Sequence, residues 1–331
     1  MTPPAVAVCA AAPVFHPARP TVDRAAAIHT AGVALTQSLA KGREIDAAAL
    51  RSAMERAFGA SDASGAWAWK DAYEAVEAAQ VLFLRQFGPS LLRVAKFPAS
   101  MLALLEKIGS LLPTETRRSE TSQALQQFST PIELAYIAAR AAGIRPGDVI
   151  LEPSAGTGML AIHAEIAGAH LALNEWAGER HGLLKTLFPK VSVTRHDGAQ
   201  IHDRLDVRFR PTVILMNPPF SASPLIEGRY PNATFEHIRS ALARLEPNGR
   251  LVAITGESFS PYGRSWRSAF EKLQATATLI ATIPLRRGFF RRHGTDVESR
   301  LTIFDKVPAA KAEGFPVPVA TVQSLQELLE R

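Results

Sequence analysis

Two apolar patterns divide the chain. From Asp148 onward, short runs of consecutive aliphatic residues alternate with stretches whose apolar positions recur three and four residues apart. "DVILEP", "HLALNE", "VSVTRHD", "TVILMN" and "RLVAITGE" predict strands, and "ATLIATIPL" and "SRLTIFDK" predict two more. "GMLAIHAEIAG", "AGERHGLLKTLFP" and "NATFEHIRSALARLEPNG" predict the helices between them. Continuous apolar strands alternating with helices imply a parallel sheet covered on both faces. Such sheets bind ligands at the carboxyl ends of their strands, near the point where strand order reverses. Residues 21–112 instead read as a small helical bundle. "DRAAAIHTAGVALTQSLAKG" and "DAAALRSAMERAFG" each begin at an Asp and end at a Gly, as capped helices do. "SDASGAWAWKDAYEAVEAAQVLFLRQF" continues the pattern and "PASMLALLEKIGSLLPTET" closes it, with Trp67, Trp69 and Tyr73 as core packing. The end, "VATVQSLQELLER", predicts a helix, so residues 309–331 form a linker and helix after a main unit at 113–308.

Composition narrows the class. The 331 residues suggest about two domains at about 150 residues each. With 47% hydrophobic and 21% charged residues, the chain can bury a sizeable core. No run of about 20 apolar residues occurs, so no membrane span is expected. Residues 1–20 are apolar but lack a basic start and are broken by prolines, which reads as a disordered tail rather than a signal peptide. The only cysteine, Cys9, lies there, which excludes a disulfide framework and fits the cytoplasm. The nine histidines do not cluster and form no H-x-x-x-H pair, so no metal is expected. A net charge of +6 permits a nucleic-acid partner without requiring one.

The chemistry sits at the predicted strand ends. The first ends in "EPSAGTGML", with Glu152, Pro153 and Ala155 leading into Gly156 and Gly158 at a strand-to-helix turn. Glycines there let a ligand approach the backbone closely. Ala161 replaces the third glycine of a dinucleotide fingerprint, which weakens a nicotinamide reading, and no Walker-type phosphate loop is present. The second strand ends in Glu175, 17 residues after Gly158, placed to accept hydrogen bonds from both hydroxyls of a ribose. Trp176 beside it can stack on an adenine or simply pack. The third ends in Asp197-Gly198, where the carboxylate can accept from an adenine amine or merely make an Asp-Gly turn.

The fourth strand ends in Asn217, Pro218, Pro219 and Phe220. Prolines fix φ and donate no hydrogen bond, so the double proline makes a stiff platform. The Asn217 amide oxygen and the Pro218 carbonyl can together grip one NH2 group, and Phe220 can stack on its ring. An amine conjugated to a ring is a poor nucleophile. Two acceptors on its hydrogens favour the pyramidal form and stabilise the positive charge that develops on nitrogen.

From about Gln127 to Lys306 the chain resembles S-adenosylmethionine-dependent N6-adenine DNA methyltransferases of the Asn-Pro-Pro-Phe type, gamma motif order. The resemblance implies a Rossmann-like class I methyltransferase α/β fold, with a mostly parallel seven-stranded sheet, helices on both faces and the helical bundle before it. It implies S-adenosylmethionine as cofactor. Within "QQFSTPIELAYIAA", Phe128, Thr130 and Pro131 would border the methionine moiety. Glu175 would hold the ribose and Asp197 would read the cofactor adenine. "IPLRRGFFRRHGTDVESRLTIFDK" is similar to the family's late β-hairpin, where Phe289 or Phe290 would contact the target base. The whole chain also looks like the amino-terminal methylase part of bacterial proteins that join a methylase to a strawberry-notch-type helicase, which implies a helicase partner.

Arg286, Arg287, Arg291 and Arg292 surround the two phenylalanines, a mixture that suits phosphate contacts and base stacking. DNA is therefore the expected partner. Methylation of a protein glutamine or an RNA base amine uses the same grip and stays open, as does a non-catalytic DNA-docking module of a helicase protein.

Overall fold

A computed structural model describes residues 23–116, 129–220, 233–307 and 314–331. The expected tail with Cys9, Phe128 and the start of the C-terminal linker lie outside the described residues.

The predicted helical part forms four helices, α1 (Arg24–Ala40), α2 (Ala47–Phe58), α3 (Trp69–Ala95) and α4 (Pro98–Ser110). Asp23 and Asp46 cap the first two by accepting from the N–H groups of Ala26 and Ala49, at 3.1 and 2.7 Å. Gly59 ends α2 in the left-handed conformation, whereas Lys41 rather than the following Gly42 caps α1. Trp67 and Tyr73 are buried and pack around Trp69, as expected. α3 runs through Pro89 to Ala95, eight residues beyond the end of the predicted helical stretch at Phe87. A proline removes one intrahelical bond, but Gly88 lies so close to Ile166 of the sheet unit that packing carries the helix past it.

Next come α5 (Ile132–Ala142), β1 (Val149–Glu152), α6 (Ala161–Ile166), β2 (His170–Asn174), α7 (Gly178–Leu187) and β3 (Ser192–Thr194). They are followed by α8 (Ile201–Arg204), β4 (Val213–Met216), α9 (Ala233–Arg244), β5 (Arg250–Gly256), α10 (Arg267–Gln274), β6 (Thr278–Leu285), β7 (Ser299–Asp305) and α11 (Leu325–Glu330). The sheet order is β3-β2-β1-β4-β5-β7-β6, with β7 antiparallel to both neighbours and the other pairs parallel. Strand order therefore reverses between β1 and β4.

Alternate residues of each central strand feed two cores. Ile150, Val213, Leu215, Val252 and Ile254 face one way, into a core shared with α1–α5. Leu151, Ile214, Met216, Leu251 and Ala253 face the other, against α9 and α10. Both faces are covered, which is why the middle of each of these strands is a continuous apolar run. The helical part and the sheet thus share one core, although each has its own sequence character. Ion pairing adds to this contact, since Arg85 of α3 makes a two-pronged bond to Glu165 of α6 at 2.6 and 2.9 Å.

The C-terminal helix is shorter than "VATVQSLQELLER" predicts. Val322 bonds to the end of β6, donating to the Pro284 carbonyl at 2.9 Å, so the helix begins only after Ser324. No helix among the described residues is long and apolar enough to cross a membrane, and no cluster among them could hold a metal ion.

Candidate cofactor and acceptor site

Four strands end along the same edge, and a single side chain ties three of those ends together. Asn174, fully buried at the end of β2, donates to the carbonyls of Pro153 and His196 at 2.8 Å each. Its oxygen accepts from the His196 N–H at 2.8 Å and the Thr194 hydroxyl at 2.9 Å. All four hydrogen-bonding positions of the amide are used, which fixes the loops after β1 and β3 relative to each other.

Around that bracket, Gly156, Glu175, Asp197 and Asn217 line one cavity, each from a different strand end. Thr130, Glu152, Pro153 and Ala155 line it too, as do Trp176, Gly198 and Pro219. Glu175 is buried; its carboxylate accepts from the N–H of Gly156 and of Ala177, at 2.8 Å each. Asp197 makes the Asp-Gly turn, accepting from the Ala199 N–H at 2.9 Å, and still faces the cavity. Trp176 is 58% exposed at the rim, free of the core.

The Asn217 amide donates from Nδ2 to the hydroxyl of Thr130 at 3.0 Å. That bond fixes the direction in which the amide points. The Pro219 carbonyl is taken by the Thr234 hydroxyl at 2.6 Å, which braces the loop on α9. Pro218 is buried.

Other predicted site residues sit elsewhere. Pro131 borders a second cavity, between α3, α4 and the basic loop. Phe220 is buried, with its main chain tight against Gly256 and its ring 6.1 Å from Phe290 in an edge-to-face pair. Phe290 is wholly buried, so it packs the base of the hairpin and offers no surface to a base; half-buried Phe289, under Arg286 at 5.5 Å, does. The hairpin cations are paired. Arg287 meets Glu298 at 2.8 Å, Arg291 meets Asp296 at 3.6 Å and Arg292 donates to the Leu112 carbonyl at 3.2 Å. His293 bonds Glu115 at 3.3 Å; burial pulls its pKa down, but Glu115 outweighs that and holds it above the usual value.

No family model matches the chain, and no curated protein matches it. Solved structures do. A protein described as a class I S-adenosylmethionine-dependent methyltransferase, from Listeria monocytogenes, is 15% identical over 92% of this chain and 94% of its own, with a TM-score of 0.50. This chain has the class I methyltransferase fold. A Vibrio vulnificus protein described as a modification subunit of a type I restriction enzyme is 16% identical, with a TM-score of 0.47; the match covers 63% of this chain and 50% of that one. A Pyrococcus horikoshii protein described as an RNA methyltransferase is 18% identical over 63% of this chain and 98% of its own, with a TM-score of 0.46.

Within the class I methyltransferase fold, several cavity residues carry no motif that reveals them. His237 on α9 packs against Gly198, and burial pushes its pKa down despite Asp197, so the ring is neutral. Glu77 and Arg180 line the cavity from α3 and α7. Two buried polar atoms there have no hydrogen-bond partner among the described residues, Oε2 of Glu152 and Nδ1 of His237. Burial raises the Glu152 pKa well above the carboxylate range, with an N–H of Ala161 acting the other way. Orphaned polar atoms in a lined cavity are what a bound polar ligand would satisfy.

The two glycines of the turn have different jobs. Gly156, at φ +56°, lines the cavity, and a Cβ there would meet only Arg180 Nη1, at 3.5 Å. Gly158, at φ +88°, faces inward; a Cβ there would lie 2.8 Å from Cζ of the buried Phe188 and 3.3 Å from Leu184. Gly158 is thus a packing residue, and the ligand approach expected of it falls to Gly156 alone. Gly158→Ala is expected to cost about 2–5 kcal/mol, from overpacking and left-handed strain together. Urea unfolding should show a lower midpoint for Gly158→Ala than for Gly156→Ala.

Proposed function

We propose that this chain transfers a methyl group from S-adenosylmethionine to the exocyclic N6 amine of adenine in DNA. One observation carries the reading. Asn217, at the end of β4 and oriented by Thr130, shares a cavity with Gly156, Glu175 and Asp197. An amide acceptor for an amine thus faces the acid and the turn that suit a nucleoside-containing cofactor.

The residues present fit that cofactor. Each Glu175 oxygen accepts one backbone N–H and keeps a lone pair for a ribose hydroxyl. Asp197, with neutral His237 beside it, offers hydrogen bonding to an adenine edge. When bound, S-adenosylmethionine supplies a methyl group on a positively charged sulfur. The chain's own part is to hold the acceptor. Asn217 Oδ1 accepts an amine hydrogen, fixes the nitrogen's direction and stabilises its developing charge, most of the gain being positional; buried Pro218 does not line the cavity, so the second acceptor expected of its carbonyl is not counted. Buried Phe220 stiffens the strand end.

The basic hairpin supports nucleic acid as acceptor. The Arg287 and Arg291 side chains are 68% and 72% exposed, and their pairs with Glu298 and Asp296 lie at the surface, where ion pairs are weak and a phosphate can displace them. A base inside a duplex cannot reach Asn217, so the target must be flipped or single-stranded. A strawberry-notch-type helicase partner would provide the single strand.

Methyl-tritiated cofactor incubated with the purified chain and single-stranded DNA, duplex DNA, RNA and protein tests this. The expected result is label in DNA that digests to N6-methyladenine. Label in RNA or in glutamine residues instead overturns the choice of substrate. Cofactor binding without any label supports the docking-module reading.

A further inference from the structure

Three buried ionisable side chains cap the glycine turn: Glu74 and Glu77 on α3 and Arg180 on α7, at 1%, 4% and 8% exposure. Arg180 donates from Nε to Glu74 at 3.1 Å and sits 3.6 Å from Glu77. The Thr157 hydroxyl donates to Glu77 at 2.6 Å, and the Ser129 hydroxyl donates to its other oxygen. Burial pulls the Arg180 pKa down, yet Glu77 and Glu74 outweigh it and keep the guanidinium charged. Burial raises the Glu74 pKa, and Glu74 Oε2 has no partner among the described residues.

Such a cluster is poorly explained by stability. Each buried ion loses several kcal/mol of hydration, and well-packed apolar side chains often do as well or better. Its position offers another reason. Glu77, Arg180 and Ser129 all line the cavity beside Gly156 and Thr157. Ser129 adjoins Thr130, which holds Asn217. The nucleoside of the cofactor is already matched by Glu175 and Asp197. What remains is an α-amino acid, one cation and one anion on the same carbon.

We propose that Arg180 and Glu77 bind this zwitterionic end, the guanidinium taking its carboxylate and the Glu77 carboxylate its ammonium, so that the helical part supplies half of a cofactor subsite. The proposal rests on the methyltransferase reading. A mixed pair suits the task because its members neutralise each other when the site is empty. A lone charge would stay buried and uncompensated. An Arg also matches a carboxylate in two-pronged fashion.

Two ligands separate this role from a structural one. S-adenosylhomocysteine carries the amino-acid end, and 5′-methylthioadenosine is the same nucleoside thioether without it. Calorimetry on the full chain should show Glu77→Gln and Arg180→Gln each weakening S-adenosylhomocysteine at least about tenfold. Binding of 5′-methylthioadenosine should stay within about twofold. Arg180→Lys, which keeps the charge but loses the fork, should lose affinity in the same selective way and carries the comparison if Glu77→Gln fails to fold. Equal losses for both ligands would mean that the cluster only braces the glycine turn, and no loss for either would equally overturn the proposal. If the unmutated chain binds neither ligand, the cofactor reading itself fails.

Discussion

Asn217→Ala is expected to lower methyl transfer by at least about a thousandfold, while the dissociation constant for S-adenosylmethionine stays within about threefold. Removing one preorganised hydrogen-bonding group from a developing charge costs about a hundred- to a thousandfold, and here the same group also directs the nucleophile. The cavity places Asn217 at the β4 end, whereas the acid that suits the cofactor ribose lies at the β2 end. Loss of the amide therefore falls on transfer and spares cofactor binding. Asn217→Asp gives a graded control. It retains an acceptor oxygen but cannot donate to Thr130, so the orienting bond of 3.0 Å must be rebuilt with Thr130 as donor. Its rate should fall between alanine and the unmutated chain. Single-turnover transfer and calorimetry on the same preparations measure both quantities. Undiminished transfer by Asn217→Ala would remove the role given to the strand end.

The strands were legible because each is a continuous apolar run bounded by turn residues, a pattern that a sheet covered on both faces imposes. The order of site loops was legible for the same reason. Glu152 ends its strand, Glu175 and Asn217 follow directly on theirs, and Asp197 comes just after its own, so finding the strands places the residues. Chain-distant packing was not legible. Glu74 and Glu77, three apart on a helix, have no local mark that separates a solvated face from a buried one; Arg180, more than a hundred residues away, makes the difference. Gly158 reads as a site for a ligand's close approach. The aromatic ring that needs its missing side chain is Phe188, at the far end of the next helix but one. Adjacent Phe289 and Phe290 look equivalent in sequence, and only the loop's fold turns one inward against Phe220. At the C-terminus, apolar spacing predicts helix, yet the end of β6 offers Val322 an edge, and pairing there wins.

Glu175→Ala is expected to weaken S-adenosylmethionine binding by about a hundredfold, with catalysis at saturating cofactor reduced far less. The carboxylate would accept two ribose hydroxyls, and a hydrogen bond to a charged group contributes about 1.5–3 kcal/mol, or roughly ten- to a hundredfold each. The loss stays below the full product because Glu175 has a second task. It holds the Gly156 and Ala177 N–H groups at 2.8 Å, and losing those bonds perturbs the empty site as well as the occupied one. Calorimetry can separate the two tasks. An S-adenosylhomocysteine analogue lacking both ribose hydroxyls should bind the unmutated chain weakly and bind Glu175→Ala about equally weakly. If Glu175 acts only through the loop, the analogue should instead lose as much affinity on mutation as the natural ribose does. An unchanged dissociation constant for the natural ligand would end the ribose assignment. The burial of Glu175 makes that outcome costly to explain otherwise, since a charge at 8% exposure with two backbone donors has little reason to face a cavity that holds nothing.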